Sequence, residues 1–392
     1  MPPGRRAALS RAADPTVVIV QRAIRRYRAG FFDRLRDDLA VDGIRLEVLH
    51  STPPPERDPR DDALEVPWAT RLPSRTVAVA GRTLQWQPLV PSLRTADLVI
   101  VEQASKLVLN HRLLARQRRG GAPVAFWGHG RNFGDDPHPA GEWLKARVSR
   151  QAHWWFAYTA RSAEVVRGLG VDAQRITVVD NAIDTRRLHA DLAAAAQGPA
   201  ARLRAQLGLG DGPVGLFLGT LRAEKGLDLL LEAADHIHAR RPDFSLLVVG
   251  GGELGRIAEL GGAPRPWLHV LGSRYGVDAA AALQLADVLL LPAAIGLVVI
   301  DSFVAEVPIV TIAGRAHKPE IAYAVDGANA VLLPETTDAA GYAEATLALL
   351  DDPGQLARLR EGCRQAAARH TLERMVQRFA EGIRAALAAP PR

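Results

Sequence analysis

The 392-residue sequence holds one cysteine, Cys363. An intramolecular disulfide and a cysteine metal cluster are both excluded, which points to a reducing, cytoplasmic setting. Long apolar runs are also missing. The longest, Val288–Ile300, is 13 residues broken by Pro292, too short for a bilayer and better read as a buried strand with a helix start behind it. Met1–Asp14 is basic but lacks the apolar core of a secretory signal. Aromatic residues make up 5% and do not interleave with the basic ones, so nucleic acid is not an expected partner. No HExxH, D-x-D pair, G-x-S-x-G elbow or P-loop occurs, so neither a metal nor a hydrolase nucleophile is expected.

What is present has the profile of a globular protein, with 48% hydrophobic and 23% charged residues. The length suits two domains rather than one. Charge divides unevenly between them. Residues 1–180 hold 28 Lys and Arg against 19 Asp and Glu, whereas 181–392 hold 21 against 24. A positive first half favours an anionic acceptor or an anionic membrane surface. It is equally what arginine-rich composition produces on a solvated surface, since lysine appears only at 106, 145, 225 and 318.

Both halves alternate short apolar runs with amphipathic segments, the pattern of a parallel sheet covered on both faces. Strands are expected at Val17–Val20, Arg45–Leu49, Leu98–Val101, Val124–Trp127, Trp155–Tyr158 and Ile176–Val179, with helices at Ala23–Ala40, Val108–Arg119 and Ala160–Leu169. Ser51–Pro67 reads as a loop. A break follows Asn181–Asp184, and alanine-rich Leu188–Leu207 reads as a linker leading into a helix. The pattern restarts with strands at Val214–Leu218, Ser245–Val249, Leu268–Leu271, Val288–Leu291 and Ile309–Thr311. Helices are expected at Gly226–Ala239, Val299–Ala305, Ala339–Leu350, Gln355–His370 and Glu373–Leu387. The domains are expected at 1–182 and 183–370, with 371–392 as a closing helix. Two such sheets leave a cleft at the carboxyl ends of their strands, where ligands bind in this architecture.

Four segments carry candidate chemistry. Gly219–Gly226 follows a strand and opens a helix, offering backbone N–H groups and a positive dipole end to phosphate, with Arg222 and Lys225 alongside. A helix-start lysine paired with Glu224 is the plainer alternative. Leu291–Phe303 turns at Gly296 and places Asp301 early in a helix, where it either accepts from vicinal hydroxyls or simply stabilises the helix start. Gly250–Gly255 matches G-x-G-x-x-G, but the acidic residue due about 20 positions later is missing. It reads as a close-approach turn around Gly252. Trp127–Asn132 ends a strand with His129 between two glycines, which exposes the ring and admits a ligand to the backbone.

Together these segments resemble the retaining GT-B glycosyltransferases of the group 1 family (family four), over roughly residues 16–370. The resemblance is carried by GTLRAEKGLDLLLEA, LLVVGGGELGRI, LHVLGS, ADVLLLPAAIGLVVIDSF, VPIVTI and PEIAYAVDGANAVLL, in that order, and by VVDNAID as the hinge. It implies a first domain for the acceptor, a second for the nucleotide-sugar donor, and a last helix crossing back to the first. It also implies retention of configuration without a metal or other cofactor. Lys225 and Arg222 are then expected to hold the donor diphosphate, Asp301 the ribose hydroxyls, and the backbone at Gly296 the sugar or phosphate. Gly252 lines the cleft, Ser273 and Arg274 meet the base, Glu320 is a second carboxylate, and His129 assists at the reacting centre. Arg28, Arg131 and Asn132 lie in first-half segments that look similar to a subgroup and fall on the acceptor side.

The family's two glutamates, with seven residues between them, fall here on Ala293 and Asp301, and its strand-end arginine on Thr220. Asp301-Ser302-Phe303 and His317-Lys318-Pro319-Glu320 resemble that subgroup's pattern instead. A non-catalytic GT-B subunit and a sugar-nucleotide epimerase are the alternatives. Peripheral membrane contact is a separate expectation, with Arg25, Arg26, Arg28, Tyr27, Phe31 and Phe32 on one helix resting on an anionic surface. The same residues also suit an ordinary helix packed by its aromatics.

Overall fold

A computed structural model of the chain describes residues 14–51, 64–79, 82–131, 143, 146–252, 265–314 and 316–390. Two parallel sheets flanked by helices form it. The first comprises β1 (Thr16–Gln21), β2 (Arg45–His50) and β3 (Ala69–Arg71). After a separate hairpin of β4 (Arg75–Val79) and β5 (Arg82–Trp86) it continues with β6 (Leu98–Glu102), β7 (Val124–Gly128), β8 (Trp154–Ala157) and β9 (Ile176–Val178). Its spatial order is β3-β2-β1-β6-β7-β8-β9. The second comprises β10 (Val214–Leu218), β11 (Ser245–Val249), β12 (Leu268–Gly272), β13 (Val288–Leu290), β14 (Ile309–Ile312) and β15 (Ala330–Leu333), in the order β12-β11-β10-β13-β14-β15. The expected pair of doubly wound sheets is met. Central strands such as β1 and β7 are buried almost end to end, as parallel strands with helices on both faces must be.

Several elements differ from the sequence reading. The helix expected from Ala23 begins as a 3-10 turn at Arg26–Arg28 and becomes α1 only at Ala29–Val41. Leu188–Leu207 is not a linker. It lies in two helices, Thr185–Ala196, capped by Asp184 accepting from the Arg187 N–H, and Pro199–Leu207. Alanine favours helix, and proline is tolerated at a first helical position, so Gly198-Pro199 marks a joint between helices rather than a loose connection. Strands β3, β4, β5 and β15 are too short or too polar for alternation to reveal.

The last helix, Leu372–Ala388, packs on the first sheet. Its Phe379 ring stacks on Phe156 at 4.2 Å and 11° and stands 4.8 Å from the Trp127 ring. Gly382 lets the helix close on β9, where a Cβ would come within 2.6 Å of Thr177 Oγ1. Arg384 reaches Asp38 and Asp42 at 2.7 and 2.5 Å. Phe31 and Phe32 are fully buried, so the aromatics of α1 belong to this core and are not offered to a membrane. Among the described residues, no helix is long and apolar enough to cross one.

Candidate functional site

Three loops knit together at the carboxyl edge of the second sheet. Gly219 N–H donates to Val249 O at 3.0 Å, Leu221 N–H to Gly251 O at 2.9 Å, and Gly250 N–H to Gly272 O at 2.9 Å. The packing leaves no room for side chains: a Cβ on Gly250 would fall 1.8 Å from Gly219 O, and one on Gly252, at φ +141, 2.7 Å from Leu221 O. Ser273 Oγ occupies the space above Gly251, 2.4 Å from where its Cβ would stand. Arg274 is exposed, with Nε donating to Leu271 O at 3.0 Å. Glu253, Leu254 and Gly255 of the glycine motif lie outside the described residues.

The Gly219–Gly226 turn differs from the sequence reading in how it can meet an anion. Its N–H groups at Gly219, Leu221, Lys225 and Gly226 are committed to carbonyls of the protein. The helix it opens begins only at Leu227, behind a 3-10 turn at Ala223–Lys225. Positive charge therefore comes mainly from Arg222 and Lys225. Arg222 is partly exposed and 4.0 Å from Glu224, a loose pair. Lys225 Nζ donates to Ala294 O at 2.5 Å, tying this turn to the loop after β13.

That second loop is held on every side. Ala294 sits at φ +51, a conformation costly for a residue with a Cβ. Ile295 N–H donates to His317 Nδ1 at 3.1 Å, while His317 Nε2 donates to Ile312 O at 2.8 Å. Lys318 N–H returns to Ile295 O at 2.8 Å. The imidazole is thus neutral, and burial, the largest influence on it, lowers its pKa. Gly296 is not left-handed, and a Cβ there would meet only Lys318 at 3.6 Å; the protein's own packing does not require glycine. Asp301 follows in the helix Val298–Ala305. Its residue is half-buried, yet the surroundings of its carboxyl group push its pKa up to about 7, opposed by a backbone hydrogen bond.

Across the cleft, His129 lies against Tyr158, ring centres 4.3 Å apart. Its loop is clamped by Gln103, whose Oε1 accepts from Gly130 N–H at 3.0 Å and whose Nε2 donates to Gly130 O at 3.1 Å. Arg131 is exposed beside it, and Asn132 lies outside the described residues. Arg28 is not on an acceptor-facing surface. It is 4% exposed, with its guanidinium 4.8 Å from the Trp127 ring centre. Glu320 is likewise buried, at 3% exposed. Arg28 Nη2 donates to Asn181 Oδ1 at 2.5 Å, and Asn181 Nδ2 donates to Glu320 Oε1 at 2.6 Å. This buried relay links first domain, hinge and second domain. Burial raises the Glu320 pKa, opposed first by the Asn181 bond.

Arg222, Lys225, Gly252, Ser273, Arg274, Gly296 and Asp301 thus surround one sheet edge, with His129 on the facing domain. Sequence reasoning missed Gln103, Asn181 and His317 as supporting residues. An amide at a strand end and a histidine before Lys-Pro-Glu were the only signals, and their partners are remote in sequence.

Comparison with known proteins agrees with this architecture. Residues 31–187 match the model described as Glycosyltransferase Family 4, and residues 212–352 that of Glycosyl transferases group 1. A D-inositol 3-phosphate glycosyltransferase of Xylanimonas cellulosilytica is 32% identical over 252 residues, 60% of this chain and 58% of the relative. A GDP-mannose-dependent alpha-(1-6)-phosphatidylinositol monomannoside mannosyltransferase of Mycolicibacterium smegmatis is 34% identical over 176 residues, 40% of this chain and 44% of that protein. The chain therefore spans little more than half the length of the first of these curated relatives and less of the second. Among solved structures, Anabaena HepE in complex with UDP superposes with a TM-score of 0.64 at 16% identity, over 94% of this chain and 99% of that one. With two such matches falling on its two sheets, the chain belongs to the group 1, family 4 glycosyltransferases of the GT-B fold.

Proposed function

We propose that the protein transfers a sugar from a nucleoside diphosphate sugar to an acceptor hydroxyl, with retention of configuration. The observation that carries this reading is the Lys225–Ala294 bond, which sets a cation between two strand-end loops at the mouth of the cleft. The relatives named for glycosyl transfer and fold neighbours solved with UDP and UDP-glucose support the donor class.

In this reading Lys225 and Arg222 counter the charge that grows on the departing diphosphate, as a divalent ion does in other transferases. No metal or other cofactor is assigned a part. The bond from the anomeric carbon to the β-phosphate oxygen breaks, and the acceptor oxygen bonds to that carbon on the same face. The acceptor proton passes to the leaving phosphate oxygen. Asp301 accepts from the ribose hydroxyls, Ser273 and Arg274 stand at the base, and His129 closes on the sugar from the facing domain.

The test is thermal stabilisation by UDP, GDP, ADP and dTDP in wild type and Lys225→Ala. One diphosphate is expected to stabilise the wild type and to lose about 1.5–3 kcal/mol of binding in the variant. A wild type indifferent to all four would turn the reading to a non-catalytic GT-B subunit, and donor turnover without acceptor to an epimerase.

A further inference from the structure

The His317 ring is buried, and both its nitrogens meet backbone groups of fixed polarity. Ile295 N–H can only donate, so Nδ1 accepts at 3.1 Å; Ile312 O can only accept, so Nε2 donates at 2.8 Å. One neutral tautomer satisfies both partners.

The Ile295 N–H belongs to the same peptide group as the Ala294 carbonyl, which accepts from Lys225 Nζ at 2.5 Å. A trans peptide is planar, and its N–H and C=O point in opposite directions. His317 and Lys225 therefore grip the two sides of one peptide plane. Its surroundings keep that plane stiff. Ala294 is held at φ +51, which its Cβ disfavours. Lys318 N–H returns to Ile295 O at 2.8 Å, and Ile312 N–H donates to Pro292 O at 3.3 Å. The imidazole thus joins the end of β14 to the ammonium on the turn after β10 through a single peptide group.

Burial, the largest influence on the ring, disfavours its protonation, opposed by the Ile312 bond. Among the described residues the charged groups that act on it are Lys225 and Arg161, the latter on the first-domain helix Ala160–Gly168, and both add to the effect of burial. Glu320, three residues on, is bound to Asn181 instead.

We propose that neutral His317 is the positioning residue for Lys225, setting through the Ala294–Ile295 peptide where the ammonium meets a donor diphosphate. The diphosphate rests on the glycosyl-transfer reading; the coupling of His317 to Lys225 does not. Protonation at Nδ1 would set one N–H against another and release the plane. The arrangement therefore holds above the pKa of His317 and is lost as pH falls through it.

Lysine occurs only at 106, 145, 225 and 318, so each can be read singly. The experiment is trace acetylation of the full chain by acetic anhydride without nucleotide. Mass spectrometry reads Lys225 against Lys106 in wild type, His317→Leu and His317→Gln. Glutamine is the conservative variant, since its amide carries an acceptor and a donor and does not titrate. Lys225 is expected to react about three- to tenfold faster in His317→Leu and at the wild-type rate in His317→Gln. As pH is lowered, the Lys225-to-Lys106 ratio, in which the shared pH dependence of the two amines cancels, should rise in wild type and stay flat in His317→Gln. A wild-type Lys225 rate in folded His317→Leu overturns the proposal. If that variant does not fold, the wild type decides, and a ratio flat across the titration of His317, followed by NMR of its ring, overturns it equally.

Titration with UDP, GDP, ADP and dTDP forms a second arm. The diphosphate that binds should weaken by a similar factor in His317→Leu, and His317→Leu combined with Lys225→Ala should bind no more weakly than Lys225→Ala alone. Additive losses would mean that His317 does not act through Lys225. His317-dependent labelling in a protein that binds none of the four would leave the positioning role standing and remove the donor reading alone.

Discussion

Asp301 is the residue whose chemistry is most easily read from outside. Its pKa, pushed up to about 7 by burial, lies above that of an unfolded aspartate. Between about pH 4 and pH 7 the folded state therefore holds more proton than the unfolded one, and stability falls as pH rises through that window. Asp301→Asn removes the penalty. It is expected to raise the melting temperature by a few degrees at pH 8, for roughly 1–3 kcal/mol, and to leave it unchanged near pH 4. Nucleotide affinity should move oppositely, since an amide is a poorer acceptor for two ribose hydroxyls. Asp301 and Lys225 stood out in the sequence because each sits at a predictable distance from a strand end. His317 was visible only as part of its Lys-Pro-Glu segment, and its role was hidden because its two hydrogen bonds reach Ile295 and Ile312 through a turn that no periodicity announces.

At the scale of elements, the glycines of the second sheet's edge are fixed by neighbouring backbone. Gly250→Ala would drive a methyl into the Gly219 carbonyl at a left-handed φ of +157. It is expected to cost about 3 kcal/mol or more, seen as a lower denaturation midpoint, and to abolish nucleotide stabilisation. The strands and most helices were legible because apolar runs of four or five residues bracketed by turns are an unambiguous signature. The hairpin β4–β5 was not. Its residues are largely exposed, and with no buried face there is no alternation to find. The two helices at Thr185–Leu207 were read partly as linker because glycine next to proline signals a turn, and only packing against the helix Val277–Leu285 shows it to be a joint.

At the scale of the molecule, the relay Arg28–Asn181–Glu320 couples the domains. Glu320→Ala would leave the buried Asn181 amide with an unmet donor, a loss of roughly 1–3 kcal/mol. Glu320→Gln keeps an acceptor for Asn181 and should cost much less. Scanning calorimetry is expected to show one transition in the wild type and two in Glu320→Ala, as the sheets melt apart; a single transition at the wild-type temperature would deny the coupling. The sequence singled out Arg28 and Glu320 for other roles and placed Asn181 in the hinge segment, but no pattern joined them, since the three lie 153 and 139 residues apart.

The docking of Leu372–Ala388 on the first sheet bears on biosynthesis. Met375, Phe379 and Ile383 are fully buried and fill a core whose strands end at Val178. During translation at about 5–20 residues per second, that sheet waits roughly 10–40 s for the side chains that seal it. The second sheet, by contrast, has all its strands by Leu333. The half of the protein made first is thus the half completed last, and a chain halted before Leu372 has every strand of its second sheet but lacks the helix that seals its first.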